Sequence, residues 1–360
     1  MVGLVRTGTK NLRNLAVTVF FLTAPIFFAQ ANNVEEDSTE TFKPGEMIMH
    51  HVQDTHEFHL WGELAMPLPV ILWTDHGLDV FMSGGFYHGD GTVETSKGSY
   101  VMHHEKIYYA GVHGGEHGEA EEVHAAMPLD FSITRNVFSL LMSFALISWL
   151  FISIANSYKK RGSKSAPKGA QSFFEPIILF VRDDIVIPNI GEKKYEKYLP
   201  YILTLFFFIW INNLIGLVPF FPGGSNLSGN IAFTFTLSLL TYIIVQFSGN
   251  KAYWKHIFWM PGVPVPVRFI LAPIELLGTV SKAFALMIRL FANITGGHIV
   301  VLSLASMVFL FKSYIVGGVV TPFVLFIMVL ELLVAAIQAY VFALLTSLFI
   351  GMAVADDDHH

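Results

Sequence analysis

Residues 269–300 read FILAPIELLGTVSKAFALMIRLFANITGGHIV. The run is long enough to cross a bilayer, for which about 20 apolar residues suffice. Yet it carries Glu275, Lys282, Arg289 and His298. Charge in the hydrocarbon region is costly and, where it is kept, faces a protein interior, a partner or an ion path. Glu275, Lys282 and Arg289 follow one another in steps of seven. Such a step returns to nearly the same helix face, with a drift of about 20°. Asn293 lies one turn beyond Arg289 and prolongs the stripe. An otherwise greasy helix with one polar stripe points to a membrane ion path.

The rest of the chain places this helix in a multi-span membrane protein. Of its 360 residues 53% are hydrophobic, and the mean hydropathy is +0.54. Only 14% are Asp, Glu, Lys or Arg, against roughly 25% in soluble domains. Cysteine is absent, which excludes disulfides, thiolate metal sites and cysteine nucleophiles. No basic patch with interleaved aromatics speaks for nucleic acid. No cofactor is expected.

The amino terminus has the layout of a secretory signal peptide over residues 1–31. Arg6, Lys10 and Arg13 form its basic region, LAVTVFFLTAPIFF (15–28) its apolar core, and Ala29-Gln30-Ala31 its cleavage site. Residues 32–130 then concentrate 18 acidic residues against Lys43, Lys97 and Lys106, with 11 of the 15 histidines. Alternating stretches such as Phe58-His59-Leu60-Trp61 read as short strands, punctuated by Gly84-Gly85 and Asp90-Gly91. We expect a small, partly ordered, acidic and His-rich domain outside the inner membrane. The histidine spacings match no strong metal pattern, so no metal site is assigned.

The membrane domain is expected over 131–355, all-α, with five spans near 137–155, 199–221, 231–247, 267–300 and 316–354. An interfacial helix or re-entrant piece is expected at 172–188, which has an apolar core but carries Glu175, Arg182, Asp183 and Asp184. Three basic clusters fix the orientation under the positive-inside rule: Lys159-Lys160-Arg161, Lys193-Lys194 with Lys197, and Lys251 with Lys255 and Arg268. They put the first domain in the periplasm and the tail 356–360 in the cytoplasm. The last two spans are too long to stand upright at about 1.5 Å per residue and must tilt or bend.

The final run repeats the seven-residue spacing with Glu331 and Gln338. Ala335, Ala336, Ala339 and Ala343 keep its neighbouring faces small, which permits close helix packing. Packing the two striped helices together brings Arg289 towards Gln338 and His298 towards Glu331. Histidine titrates near neutral pH, so His298 with a carboxylate opposite can hand protons on. Arginine stays charged at any working pH and cannot relay. It can block another cation and hold a passing carboxylate ionised. Asn212 and Asn213, in the second span, either bridge helices or line a path, and Lys282 either lines the path or snorkels.

At these residues the chain resembles the subunit a family of the membrane sector of F-type ATP synthases, over roughly 130–355. The likeness rests on Ser281-Lys282, on Met287-Ile288-Arg289-Leu290-Phe291-Ala292-Asn293, and on Gly297-His298. The resemblance places the family's half-channel arginine on Arg289, its adjoining asparagine on Asn293 and its upstream carboxylate on Glu275. Glu331 and Gln338 fall on the polar positions of the last helix, with His298 and Glu331 exchanged as in some members. Where some members carry a carboxylate, this chain has Gly216. The resemblance implies a non-catalytic, proton-translocating stator subunit of a bacterial inner membrane. Its partners would be a ring of small hairpin c subunits, peripheral-stalk b subunits, other synthase subunits and lipid. Nucleotide chemistry would lie elsewhere in the complex, and the chain has no GxxxxGK[ST] loop. A secondary transporter would show internal repeats around a midplane pocket, and none is legible. A plain membrane anchor needs neither five spans nor Arg289.

Overall fold

A computed structural model describes residues 45, 53–61, 64–87, 91–103, 105–110, 127–161, 169–218, 223–260, 262–311 and 313–355. The expected leader, 1–31, and tail, 356–360, lie outside the described residues, as do His50, His51, His104, His113 and His117.

The amino-terminal part holds β1 (Glu57–Trp61), β2 (Leu64–Pro67), β3 (Pro69–Thr74), β4 (Gly77–Met82), a short α1 (Gly84–Tyr87), β5 (Thr92–Thr95), β6 (Gly98–His103), β7 (Lys106–Tyr109) and β8 (Leu129–Asp130). They form a β1-β2 hairpin, a sheet of order β4-β3-β8 and a meander β5-β6-β7, all antiparallel. Alternation along β3 turns Val70 and Leu72 inward, where Phe86, Tyr100 and Ile107 complete a small core. Asp79 ties two sheets across that core, accepting from Thr95 Oγ1 at 2.5 Å and from Tyr100 Oη at 3.0 Å.

This domain is fastened to the first membrane helix, α2 (Arg135–Arg161). Asp54 caps its amino terminus: Thr134 Oγ1 donates to Asp54 Oδ2 at 2.8 Å and the Asn136 amide to Asp54 Oδ1 at 3.0 Å. An acidic cap both satisfies open N–H groups and opposes the positive end of the helix dipole. Arg135 Nη2 donates to the Gln53 carbonyl at 2.7 Å, and Phe58 meets Phe138 edge-on at 5.6 Å.

The interfacial segment comprises α3 (Ala170–Phe180), a π-helical turn (Val181–Val186) and α4 (Ile187–Ile190). Pro188 supplies no N–H and crowds the carbonyl four residues back, which accounts for the widened turn just before it. The Ile185 carbonyl there accepts from Asn189 Nδ2 at 2.7 Å and from Ser347 Oγ at 3.2 Å. Val181, Ile185 and Val186 are fully buried, so this segment is part of the bundle core.

The remaining helices are α5 (Tyr195–Gly216), α6 (Ile231–Ser248), α7 (Lys251–Phe258), α8 (Val265–Phe311) and α9 (Tyr314–Val354). Among the described residues five helices are long and apolar enough to cross a membrane: α2, α5, α6, α8 and α9. The α8 helix runs unbroken past residue 300 to Phe311, and neither it nor α9 can stand upright in a core about 30 Å thick.

Bundle cohesion comes from α9. Ala335, Ala339, Ala343, Ser347 and Gly351 recur every four residues and are all buried. This small ridge lets neighbouring backbones approach closely. Contact is tightest at Gly351, where an added Cβ would run into the Asn189 carbonyl. Around the ridge pack Ile202, Phe207 and Ile209 of α5, Leu286 and Leu290 of α8, and Phe342 and Ile350 of α9. The open carbonyls at the end of α9 are also taken: Ala353 by the Asn250 amide at 3.0 Å, Val354 by Lys194 Nζ at 2.7 Å, and Ala355 by Asn250 Nδ2.

These contacts order the two sides of the bundle. The start of α2 meets the β domain, and Ser225 Oγ in the α5–α6 loop donates to Asn136 Oδ1 at 2.7 Å. That places the end of α5 and the start of α6 on the domain side. The end of α6, α7 and the end of α9 meet on the far side, through Asn250.

Candidate functional site

The consecutive helices α8 and α9 pack as an antiparallel pair. Asn293 Nδ2 donates to Gln338 Oε1 at 2.9 Å, and Gln338 is almost fully buried. The partner that Gln338 bonds is Asn293, one turn on from Arg289. Amide to amide satisfies both neutral groups, and it leaves the guanidinium on the exposed flank of α8.

His298 and Glu331 do come together. With Asn213, Leu217, Asn293, Ile294, Val334 and Ala335 they line a narrow cleft on the domain side. Its free volume is about 10 Å³, on the scale of one water molecule. Gly297 seats the carboxylate: a Cβ there would strike Glu331 Oε1. Nothing in the seven-residue pattern pointed to Gly297, although a Gly-Gly pair inside a long helix marks a place where something must come close.

Asn212 and Asn213 are both buried. Asn212 Nδ2 donates back to the Phe208 carbonyl at 2.7 Å, a local bond. Asn213 Oδ1 accepts from Ser228 Oγ at 2.5 Å, which ties α5 to the domain-side loop and aims the residue at the cleft. Asn213 Nδ2, Asn212 Oδ1, Thr295 Oγ1 and Gln338 Nε2 are buried with no protein partner among the described residues.

A second cleft opens in the far half. Thr241, Tyr242, Val245 and Gln246 of α6, Tyr253 of α7, Thr279, Lys282, Ala283 and Leu286 of α8, and Phe349 and Met352 of α9 line about 20 Å³. Lys282 Nζ lies 5.7 Å from the Phe349 ring centre, within cation–π range. Glu275 is half-buried two turns further along α8. The polar members on α6 and α7 were missed in the sequence. Tyr242 and Gln246 stand one helical turn apart in an apolar span, which is the signal that identifies them.

Arg289 sits between the clefts on α8, about 10 Å of helix rise from Lys282 and about 13 Å from His298. It is exposed and makes no hydrogen bond or ion pair among the described residues. The flank around it carries Ser281, Ala285, Ala292 and Gly296, all exposed. Arg289 is thus a permanent cation in the middle of a membrane helix, framed by small residues.

The sequence is similar to those of known proteins. Residues 137–351 match the family described as ATP synthase A chain. A second match, over 47–131, is to a domain of unknown function. The chain is 43% identical over 326 residues to "ATP synthase subunit a 2" of Chlorobaculum tepidum, covering 88% of this chain and 75% of that one. It is 43% identical over 233 residues to "ATP synthase subunit a" of Chloroherpeton thalassium, covering 64% and 69% of the two chains. With the subunit a of Myxococcus xanthus it shares 42% identity over 254 residues, covering 68% and 80%. Family match, relatives and five membrane-length helices agree: the chain belongs to the ATP synthase subunit a family and is a multi-pass membrane subunit of that complex.

Proposed function

We propose that the chain forms two offset proton half-channels beside a rotating ring of small c subunits. The observation that carries this reading is Arg289, exposed on α8 between two clefts that lie in opposite halves of the bundle. Protons enter from the periplasm, the side of the β domain, past His298 and Glu331, with Asn213 and Asn293 bordering the way. The buried polar atoms that lack a protein partner there suit a short water chain. A proton is delivered to a carboxylate on a ring subunit that approaches over the small residues beside Arg289. After rotation the carboxylate releases its proton to the far cleft, where Lys282, Gln246, Tyr253 and Glu275 stand, and so to the cytoplasm.

Arg289 performs two tasks in this scheme. Its fixed charge stops a proton from crossing directly between the half-channels. It also favours the ionised form of the ring carboxylate as that group passes. The chain binds no nucleotide and makes no bond itself; it couples ion flow to the synthesis done elsewhere in the complex. The b subunits of the peripheral stalk hold it against the turning ring.

Co-purification of the chain with a ring of small hairpin subunits, then a pH-jump synthesis assay with and without sodium, tests the proposal. Synthesis driven by the pH step without sodium supports it. An absolute need for sodium would overturn the proton assignment, and absence of a ring would overturn the whole reading.

A further inference from the structure

The β4-β3-β8 sheet keeps its carboxylates on its inner face, where Asp79 and Asp130 share the row of Leu72. That inner face also holds Val70 and Leu72 of the domain core. The strand register puts three rows on the outer face: Met82 opposite Pro69, Val80 opposite Ile71, and Leu78 opposite Trp73, with Leu129 beyond Trp73. Phe131 adds to the middle row, its amide donating to the Ile71 carbonyl at 2.9 Å. Trp73, Leu78, Val80, Met82, Leu129 and Phe131 are between 48% and 64% exposed, and the rows contain no charged residue. An antiparallel sheet with one wet face normally alternates apolar and polar. In a segment as rich in carboxylates as 32–130, a charge-free outer face is a surface kept for something apolar.

We infer that this face lies in the headgroup–acyl boundary of the bilayer leaflet on the domain's side, as a second anchor beside α2. Its position argues for lipid. The apolar span Arg135–Lys160 has 26 residues, which rise about 39 Å against a hydrocarbon core of about 30 Å. Arg135 therefore stands at headgroup level. Phe131 precedes it by four residues, a reach of at most about 14 Å. The connection is not slack: the Ile71 amide donates to Ser132 Oγ at 3.1 Å, the Ile133 amide to the Pro69 carbonyl at 3.1 Å, and Asp54 clamps Thr134 and Asn136. The sheet is thus held at a fixed height beside the membrane. Beyond the clamp the apolar surface resumes on the exposed flank of α2, at Val137, Leu141 and Phe144. Trp and Phe beside aliphatic residues are the composition that settles at a membrane interface. A face of this kind immerses about 5–10 Å into the boundary layer.

The chain has no cysteine, so one introduced cysteine carries its single nitroxide, with the complex of the unsubstituted chain labelled in parallel as the background. Val80→Cys and Leu129→Cys sample the face, and Glu94→Cys, exposed on β5, is the aqueous control. Each is labelled in the full chain within its assembled complex in phosphatidylcholine bilayers. Collision rates are read with oxygen, which concentrates in lipid, and with a polar nickel chelate. We expect the oxygen-to-nickel ratio at Val80 and Leu129 to exceed that at Glu94 several-fold. Ratios equal to that at Glu94 would put the face in water and overturn the inference. Low rates with both reagents would mean that a protein covers the face, which overturns it equally.

Discussion

The β domain and the membrane bundle use buried polar groups in opposite ways. In the domain they sit against partners of its own, His56 by ion pairing alone, since neither of its ring nitrogens makes a hydrogen bond. His56, 3% exposed, lies between Glu105 at 3.7 Å and Asp130 at 3.4 Å. Tyr87 Oη donates to Glu105 Oε2 at 2.7 Å, and Ser83 Oγ to the His56 carbonyl at 2.7 Å. In the bundle Asn213 and Gln338 each have one arm bonded and one free, and Arg289 has no partner among the described residues. A network that pairs within itself fixes a structure, whereas an open one leaves capacity for something that moves. The contrast separates polar residues that hold the fold from those proposed to serve transport, and each can be tested on that distinction.

The largest effect is expected at Arg289. Arg289→Ala should reduce proton-driven ATP synthesis to background in membrane vesicles while leaving the subunit inserted, because no bond within the described chain is lost. Arg289→Lys should fail too, since an ammonium does not reproduce the spread and geometry of a guanidinium. Normal coupled synthesis in Arg289→Ala vesicles would show that the open network is not the transport machinery.

His298 and Glu331 come next. Each single change, to Ala or Gln, should slow proton entry several-fold without dispersing the complex. The double exchange His298→Glu with Glu331→His should recover more flux than either of its component substitutions. Plain additivity of the single losses would mean that the two groups act independently. Gly297→Ala is a finer probe of the same cleft. Its methyl group displaces the Glu331 carboxylate, so it should lower flux less than removal of that carboxylate does, with insertion unchanged. Unaltered flux would detach the seat from the function.

Much of this arrangement is legible in the sequence, for a definable reason. A charge within an apolar run is expensive, so Glu275, Lys282, Arg289, His298 and Glu331 stand out without any structure. Hydropathy likewise isolates the five spans, because only helices of that length satisfy their backbones in lipid. The far cleft was less legible because Tyr242 and Gln246 are neutral and carry a weaker signal. Which amide faces Asn293 depends on the rotation of α9, which its ridge of small residues from Ala335 to Gly351 sets by packing. That ridge could be read as alanines, but its meeting with the Asn189 carbonyl joins two segments far apart in the chain, and no local pattern reports such a contact. The paired outer rows of the β4-β3-β8 sheet were hidden likewise, since they are completed by β8, long after β3 and β4.

The smallest effect on transport, and the sharpest test of the domain's own network, is expected at His56. Burial works against its protonated form, but Asp130 and Glu105 outweigh burial and raise its pKa from 6.5 to about 9. Asp130 is also desolvated, yet His56 and Ser132 hold it below its ordinary value. A group whose pKa is raised on folding stabilises the fold fully below its unfolded value. The contribution here is complete below about pH 6.5, declines as pH rises, and is lost above about pH 9. At roughly 1.4 kcal/mol per pH unit the whole contribution is about 3 kcal/mol. Asp130 has the opposite sense: its share is present above the ordinary carboxylate range and is lost as acid protonates it. The domain of the full chain should therefore resist limited proteolysis best between these limits, and its protection should fall between pH 6.5 and 9. His56→Gln should be less protected at pH 6 and should lose that alkaline slope, while proton flux at neutral pH stays unchanged. The same alkaline slope in His56→Gln would place the titrating group elsewhere. A parallel loss of flux would show that the domain's closed network and the bundle's open one are coupled through Asp54 and the start of α2.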